Sequence, residues 1–496
     1  MTDPAKLRIE RWLAAPVILI GALVLRLISG VGFVNYDTLY ALAWGGQLAR
    51  GQTPAYDVAI APTPHPLIEA IGVVLYPLGP RATEDVVIAL GFIALSACGW
   101  VIYRLGTVWF GRAAGALAAL LFLTRVPVLS YGVRAYVDIP YLLLVLSALL
   151  VESRRRRAGV PVLVLLALAG LLRPEAWAFS GLYLLYILDV IPGLRSRDHE
   201  GPWWKPARSG REVLGLCALA AAAPLLWILS DLLVTGRPLW SLTNTRHTAS
   251  VLGRKTGIAN VPEYIPRRIG EILRPPVLLG AALGGILTLA WLRGRAMLAA
   301  IAGGISVLVF AVFASVGLPI NSRYAFLASA ILCIFCGAGV FGWTRLEPGD
   351  ARRRWWSAGG AVMAIALIAF APAQYRLAHR ELTTLARQRS IELSLLALVD
   401  SHAINLACGP VGVPNHAPIP LLALYLKTSP ANIVSAQVGH IQSGVYVDPA
   451  TQEVERDYIL DRLDPHLAVS VPPGFTESSS NETWLIFSRC THAGGG

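Results

Sequence analysis

The chain has 496 residues, of which 55% are hydrophobic and only 15% charged, and its mean hydropathy is +0.58. An ordinary soluble domain carries about 25% charged residues, so this composition excludes a conventional soluble protein and points to a polytopic membrane chain. The net charge of +12 does not call for a nucleic-acid partner, because in such a chain the bases gather in cytoplasmic loops and set orientation.

A spanning helix needs roughly 20 apolar residues. On that measure spans are expected near residues 13–32, 84–104, 113–130, 139–153, 159–173, 175–192, 212–234, 276–292, 297–316, 324–343 and 355–372. The fold class expected is therefore a polytopic α-helical membrane protein of about eleven transmembrane helices. The first apolar run has no small-residue cleavage site after it and reads as a retained span, not a signal peptide. The polar stretch 32–66 follows, in a loop of residues 33–83, and carries Asp37, Asp57 and His65. A carboxylate at the edge of a membrane, in a loop too long to be a simple connector, suggests chemistry on a lipid-borne substrate. Within this loop PLIEAIGVVLYPL (residues 66–78) is apolar but short, and it ends in Pro77, Gly79 and Pro80. It is expected to lie in the interface. Residues 37–50 form a second interfacial candidate, with Leu39, Leu42, Ala43, Gly46 and Leu48 on an approximate apolar face.

Basic residues orient the set. Lys6, Arg8 and Arg11 precede the first span, and Arg104 and Arg112 bracket the turn after the second. Arg154, Arg155, Arg156 and Arg157 follow the fourth, and Arg195, Arg197, Lys205, Arg208 and Arg211 follow the sixth. Arg293 and Arg295 follow the eighth, and Arg352, Arg353 and Arg354 the tenth. Alternating spans put all of these on one side, which the positive-inside rule makes cytoplasmic, together with the N-terminus. The other side then receives the 33–83 loop, Asp138, the turn at Arg173 and Glu175, the 235–275 loop, residues 321–324 and the tail. The division expected is a membrane module over 1–372 and a small extracytoplasmic α/β domain over 373–496, with strand-like runs at 403–407, 467–471 and 483–487. Cys408 and Cys490 both lie in that tail, either bonded in an oxidising compartment or as two free thiols. Cys98, Cys217, Cys333 and Cys336 fall within spans and read as small core residues.

Several motifs recur in a recognisable order. Arg26 lies in the first span, then come Asn35-Tyr36-Asp37, Gly51-Gln52-Thr53-Pro54-Ala55-Tyr56-Asp57 and Pro64-His65-Pro66-Leu67. Tyr136-Val137-Asp138-Ile139-Pro140, Arg173-Pro174-Glu175 and Arg323-Tyr324 follow. Over roughly residues 10–345 this order resembles the GT-C superfamily of integral-membrane glycosyltransferases, and within it the branch of protein O-mannosyltransferases and the aminoarabinose transferase of lipid A. The family usually has two adjacent acids at its first site; here Thr38 follows Asp37. The resemblance implies an enzyme of the cell membrane that takes a sugar from a polyprenyl-phosphate donor and passes it, on the outer face, to a hydroxyl of a lipid, glycan or protein acceptor.

The residues fit that chemistry. A hydroxyl is a poor nucleophile, and a carboxylate within hydrogen-bond reach must take its proton. Asp37 is the candidate base, against the alternative that it caps the helix starting there. Asp138, with Pro140 beside it, is a second catalytic candidate or an N-cap. Tyr36, Asp57, His65 and Tyr324 are candidate substrate-lining residues, although Asp57 also suits a turn. Arginine pairs bidentately with phosphate, which makes Arg323 the first candidate for the donor phosphate. The 235–275 loop carries Arg237, Arg246, His247, Arg254, Lys255, Arg267 and Arg268 with few acids. Arg246, Arg254 and Lys255 are taken from it as further phosphate ligands, against generic attraction to anionic membrane lipids. Arg173 and Glu175 read as an internal ion pair, because charges at membrane depth are costly unless paired. No HxxxH, HExxH, P-loop or strand-borne GxGxxG occurs, so neither a metal nor a cofactor is expected. The competing class is a polytopic transporter or lipid flippase, which would show repeated halves and ionisable groups near the midplane. No clear repeat is visible.

Overall fold

The computed structural model describes residues 4–190, 209–459 and 471–490, with the side chains of 4–12 left aside. The side chains of Lys6, Arg8 and Arg11 are among those left aside, and Arg195, Arg197, Lys205, Arg208 and most of the strand-like run 467–471 lie outside the described residues. Helices dominate, in the order α1 (Pro4–Ser29), α2 (Tyr36–Ala49), α3 (Pro66–Leu75), α4 (Pro80–Phe110), α5 (Arg112–Leu123), α6 (Val126–Val133), α7 (Asp138–Arg154), α8 (Val160–Gly170) and α9 (Glu175–Ile187). They continue as α10 (Gly210–Thr235), α11 (Trp240–Val251), α12 (Val261–Trp291), α13 (Arg293–Ser315), α14 (Phe326–Phe341), α15 (Ala351–Asp400) and α16 (Ile419–Tyr425). Ten of the eleven expected spans each fall on one helix, and that at 113–130 is broken between α5 and α6. Six helical segments, comprising α4, α10, α12 with its lead-in turn, α13, α14 with its flanking turns, and α15, are long and apolar enough to cross a membrane. A seventh arises if α5 and α6, bent by 66° at their junction, count as one span.

Packing divides the chain into two compact units that are not contiguous in sequence. The first comprises residues 1–29, 89–228 and 256–381; the second comprises 30–88, 229–255 and 382–496.

In the first unit the central helices touch backbone to backbone. A Cβ on Gly284 of α12 would sit 1.8 Å from the Phe335 carbonyl oxygen of α14, and one on Gly339 would sit 2.4 Å from that of Gly280. A Cβ on Gly337 would come within 2.2 Å of the Ala114 carbonyl oxygen of α5. Small residues at these crossings let helices pack without hydrophobic exclusion from lipid. α12 breaks at Arg274, which has φ 65°. Breaks free carbonyls that lipid cannot satisfy, and Arg125 answers two of them. Its buried guanidinium donates to the Leu121 carbonyl at 2.9 Å, to that of Leu273 at 3.1 Å and to Thr124 Oγ1 at 3.2 Å.

In the second unit α2 and α3 cross at Gly45 and Gly72, where a Cβ on Gly45 would meet the Glu69 carbonyl oxygen at 2.5 Å. Residues 38–47 of α2 are buried all round. This corrects the expectation of a one-faced surface helix: α3 and α16 both pack on it. α3 does have two faces, with Ile68, Glu69 and Gly72 buried and Val73, Val74 and Leu78 exposed nearby. The tail holds a five-stranded mixed sheet of order β2-β1-β3-β5-β4, formed by β1 (Val411–Val413), β2 (Ile433–Ser435), β3 (Gly444–Pro449), β4 (Thr476–Ser480) and β5 (Trp484–Arg489). β1 pairs parallel with β2 and β3; β5 pairs antiparallel with β3 and β4. The strand-like run at 483–487 falls on β5. The run at 403–407 is instead a turn entering a 3-10 helix, because the Asn405 side chain accepts from the Ala407 N–H at 2.9 Å. Cys408 and Cys490 are bonded to each other. The Trp484 indole donates to the Ile391 carbonyl at 3.0 Å, fastening the sheet to the C-terminal turns of α15.

Candidate active site

The candidate residues form two groups, one in each unit. In the second unit Asp37 occupies the first turn of α2 and is half-buried. It is not the cap. Asn35 is the N-cap, and its Oδ1 accepts from the Asp37 N–H at 2.8 Å and the Thr38 N–H at 3.3 Å. Tyr36, beside it, donates from its hydroxyl to the Ile60 carbonyl at 3.1 Å. Its ring meets Tyr40 edge-on at 5.0 Å and His416, from the tail, at 5.3 Å. Burial holds the Tyr36 phenol well above its ordinary pKa, so it is a donor and not a base.

An aromatic row runs back from there. Tyr40 packs on Trp44 at 5.1 Å, and Trp44 on Tyr56 at 4.8 Å. The Trp44 indole donates to the Ala55 carbonyl at 3.1 Å. Gln47, also buried, donates to Ser429 Oγ at 3.2 Å and accepts from the Ala55 N–H at 3.2 Å, so it ties α2 both to its own loop and to the tail. The row ends on Glu69, whose Oε2 accepts from the Tyr56 hydroxyl at 2.5 Å. Burial pushes the Glu69 carboxyl up to about 7, opposed by hydrogen bonding from the Tyr56 hydroxyl and the His65 backbone and helped by the charge of Asp231.

His65 is the residue before α3. Its ring is buried, and its carbonyl accepts from the Ile68 N–H at 2.9 Å and the Glu69 N–H at 3.1 Å. Asp57 lies exposed in the turn after Tyr56. α11 approaches the same loop, since Thr63 and Thr245 hydroxyls lie 2.6 Å apart and Asn244 donates to the Ala61 carbonyl at 3.4 Å. Arg246 is exposed on α11; Arg254 is half-buried and Lys255 exposed just beyond it.

The first unit holds a four-charge cluster. Asp138, the first residue of α7 and 1% exposed, is ion-paired to Arg173 and lies 3.9 Å from Arg323 Nη1. Arg173 also donates to Glu175 Oε1 from Nε at 3.0 Å and from Nη2 at 2.5 Å. The ring of Tyr324 lies 4.5 Å from the Arg173 guanidinium and that of Tyr141 5.6 Å from it. The expected Arg173–Glu175 pair is present, and Asp138 and Arg323 complete it. Two arginines and two carboxylates balance, as burial demands. Arg173 is enclosed, whereas the Arg323 side chain is 23% exposed. Arg267 and Arg268 do not act as free cations: both reach Glu271, at 3.1 and 2.8 Å.

Asn35 and Tyr56 fall within the sequence motifs but carry no assigned role there, and Glu69, Tyr40, Trp44 and His416 belong to none of them. One signal was there for Glu69, a lone acid in an apolar run. Nothing local announces His416, which reaches Tyr36 only through the tail. Among the described residues no three His, Cys, Asp or Glu side chains gather as a metal-binding set.

Among solved structures the chain is similar to ArnT from Cupriavidus metallidurans, crystallised with undecaprenyl phosphate. Identity is 15%, the match covers 96% of this chain and 97% of that one, and the TM-score is 0.57. It is also similar to the oligosaccharyltransferase of Archaeoglobus fulgidus in its apo form, at 12% identity, with 75% of this chain and 56% of that one covered and a TM-score of 0.46. No family model and no curated protein sequence matches. The chain shares the fold of ArnT over nearly its whole length.

Proposed function

We propose that this chain is a polyprenyl-phosphate-sugar-dependent glycosyltransferase of the cell membrane, acting on the outer face on an acceptor hydroxyl of a lipid, glycan or protein. The observation that carries the reading is the likeness in fold, over nearly the whole chain, to ArnT, which was crystallised bound to undecaprenyl phosphate. The order of charged motifs along the chain supports it further. In this reading about eleven spans cross the membrane, the N-terminus is cytoplasmic and the tail extracytoplasmic.

The reaction breaks the bond between the sugar's anomeric carbon and the phosphate oxygen and forms one to the acceptor oxygen. The acceptor proton passes to Asp37, and the polyprenyl phosphate leaves with the bonding electrons. Asp37 suits the task because Asn35, not Asp37, supplies the helix cap. Arg323 stabilises the departing phosphate, since a guanidinium offers two parallel donors to its oxygens. Asp138 acts through the arginines it holds. Arg246, Arg254 and Lys255 attract the donor's negative charge, and Tyr36, Asp57, His65 and Tyr324 line the substrates.

The test is a panel of polyprenyl-phosphate sugars, hexosyl and pentosyl, offered to the purified protein in liposomes with mass analysis of products. Transfer from at least one donor is expected, with turnover lost in Asp37→Asn while its melting temperature is kept. Full turnover in that variant would remove Asp37 from the chemistry; hydrolysis-free inertness to every donor and acceptor class would remove the enzyme reading.

A further inference from the structure

The second unit contains a small open cleft along the C-terminal half of α2. Its walls come from residues 42–50 of α2, residues 72–83 at the end of α3 and the start of α4, and residues 423–428 at the end of α16 and just after it. Arg50 follows Asp37 by thirteen residues, roughly 20 Å along the axis. Two cations line the cleft, Arg50 and Lys427. Among the described residues neither has a carboxylate partner. Arg50 reaches only Gln52 Oε1, at 3.1 Å, and the face of Tyr76, 5.5 Å from the ring centroid. Two acids on the neighbouring elements are engaged elsewhere, Glu84 with Arg389 at 2.7 Å and Glu69 with Tyr56, while Asp85 is exposed on α4.

Lys427 is placed there at a cost. It follows α16 with φ 51°, a left-handed conformation in which a helix usually ends on glycine. The next residue, Thr428, accepts from Asn432 Nδ2 at 2.9 Å, which leaves its own O–H as a donor at the cleft. Tyr76 brings a phenol to the same wall. Beside the cleft, Val74 is 75% and Leu78 54% exposed, an apolar surface contiguous with the start of α4, a candidate span. Two uncompensated cations and hydroxyl donors next to exposed hydrocarbon match a phosphodiester that carries acyl chains.

We propose that this cleft binds the headgroup phosphate of an anionic glycerophospholipid, whose chains lie along the exposed side of residues 73–78. The site is separate from sugar transfer and stands or falls without it. The cations anchor the phosphate by charge-assisted hydrogen bonds. A cation facing an anionic lipid contributes about five-fold in affinity, and two about thirty-fold.

The probes are short-chain phosphatidylglycerol, phosphatidylcholine and inorganic phosphate, titrated into the full chain in neutral detergent, with binding followed by native mass spectrometry and thermal shift. Phosphatidylglycerol is expected to bind and stabilise, and to bind the double variant Arg50→Gln/Lys427→Gln about thirty-fold more weakly. That variant still carries +10 against +12, two positive charges fewer, so non-specific attraction is nearly unchanged. Lys427→Gly is the sharper variant. It relieves the left-handed backbone and removes a cation, so its melting temperature without lipid should rise while its affinity for phosphatidylglycerol falls about five-fold. Equal affinity of wild type and either variant would overturn the site. Competition by inorganic phosphate at the same concentration as phosphatidylglycerol, or equal binding of phosphatidylcholine, would overturn the anionic-lipid assignment.

Discussion

Glu69 lies in an apolar helix, is 3% exposed, and has one oxygen bonded to Tyr56 while the other has no partner. Burial raises its carboxyl from the ordinary 4.5 to about 7. The folded state therefore holds this proton more tightly than the unfolded chain. Its contribution is fully favourable below about pH 4.5 and is lost as pH rises through about 7. The difference is worth about 3 kcal/mol. Glu69→Gln keeps the shape and an acceptor for Tyr56 but carries no charge to bury. The variant should match wild type near pH 4.5 and exceed it by up to about 3 kcal/mol at pH 8. Unfolding midpoints of both proteins in the same detergent, taken between pH 4.5 and 8, measure this directly. A gap that stays constant across that range, or a variant less stable than wild type at pH 8, would refute the account of Glu69 as a buried, proton-holding carboxyl. Tyr56→Phe should act the other way, because losing the donor favours the protonated form and moves the transition to higher pH.

Three further outcomes are expected. Arg173→Gln leaves Asp138 and Glu175 buried without their shared cation and should cost about 3–5 kcal/mol; Arg173→Lys should recover only part, since one ammonium cannot reproduce the fork, and denaturant titration compares the two. Gly284→Ala has no room, with a carbonyl oxygen 1.8 Å from the new carbon, so thermal unfolding should show a loss of several kcal/mol, beyond the usual range for a single substitution. Reducing Cys408–Cys490, which closes a loop of sequence separation 82, should cost about 4 kcal/mol on the chain-entropy account, read as faster proteolysis of the tail under reductant.

What could be seen in the chain was whatever is carried by local periodicity. All but one of the expected spans fall on single helices because helices in an apolar setting need continuous apolar runs; the span at 113–130 is broken between α5 and α6, and the short run at 66–78 folds as a helix with one exposed face. The Arg173–Glu175 pair was legible because its members are two residues apart and membrane depth punishes an unpaired charge. Asp138 and Arg323 join that pair from 35 and 150 residues away along the chain, with no pattern linking them. α2 was misjudged for a similar reason. Its sequence shows an approximate apolar face, but Tyr40, Trp44 and Gln47 are covered by α3 and by α16, which comes over 350 residues later. Asn35 took the cap from Asp37 by a choice between two adjacent polar side chains, one that spacing alone does not make.

The second unit joins residues 30–88 to residues 382–496. At 5–20 residues per second, the ribosome needs about 15–60 s to cover the roughly 300 residues between them. For that interval α2 has left the ribosome with Gln47 lacking Ser429 and Tyr36 lacking His416. A nascent chain is thus a string of inserted helices before residues 382–496 exist, and those residues decide whether the first loop ever acquires its shape. Truncation before residue 382 would therefore spare membrane insertion and yet strike residues 30–88, a pattern that limited proteolysis of stalled chains would reveal.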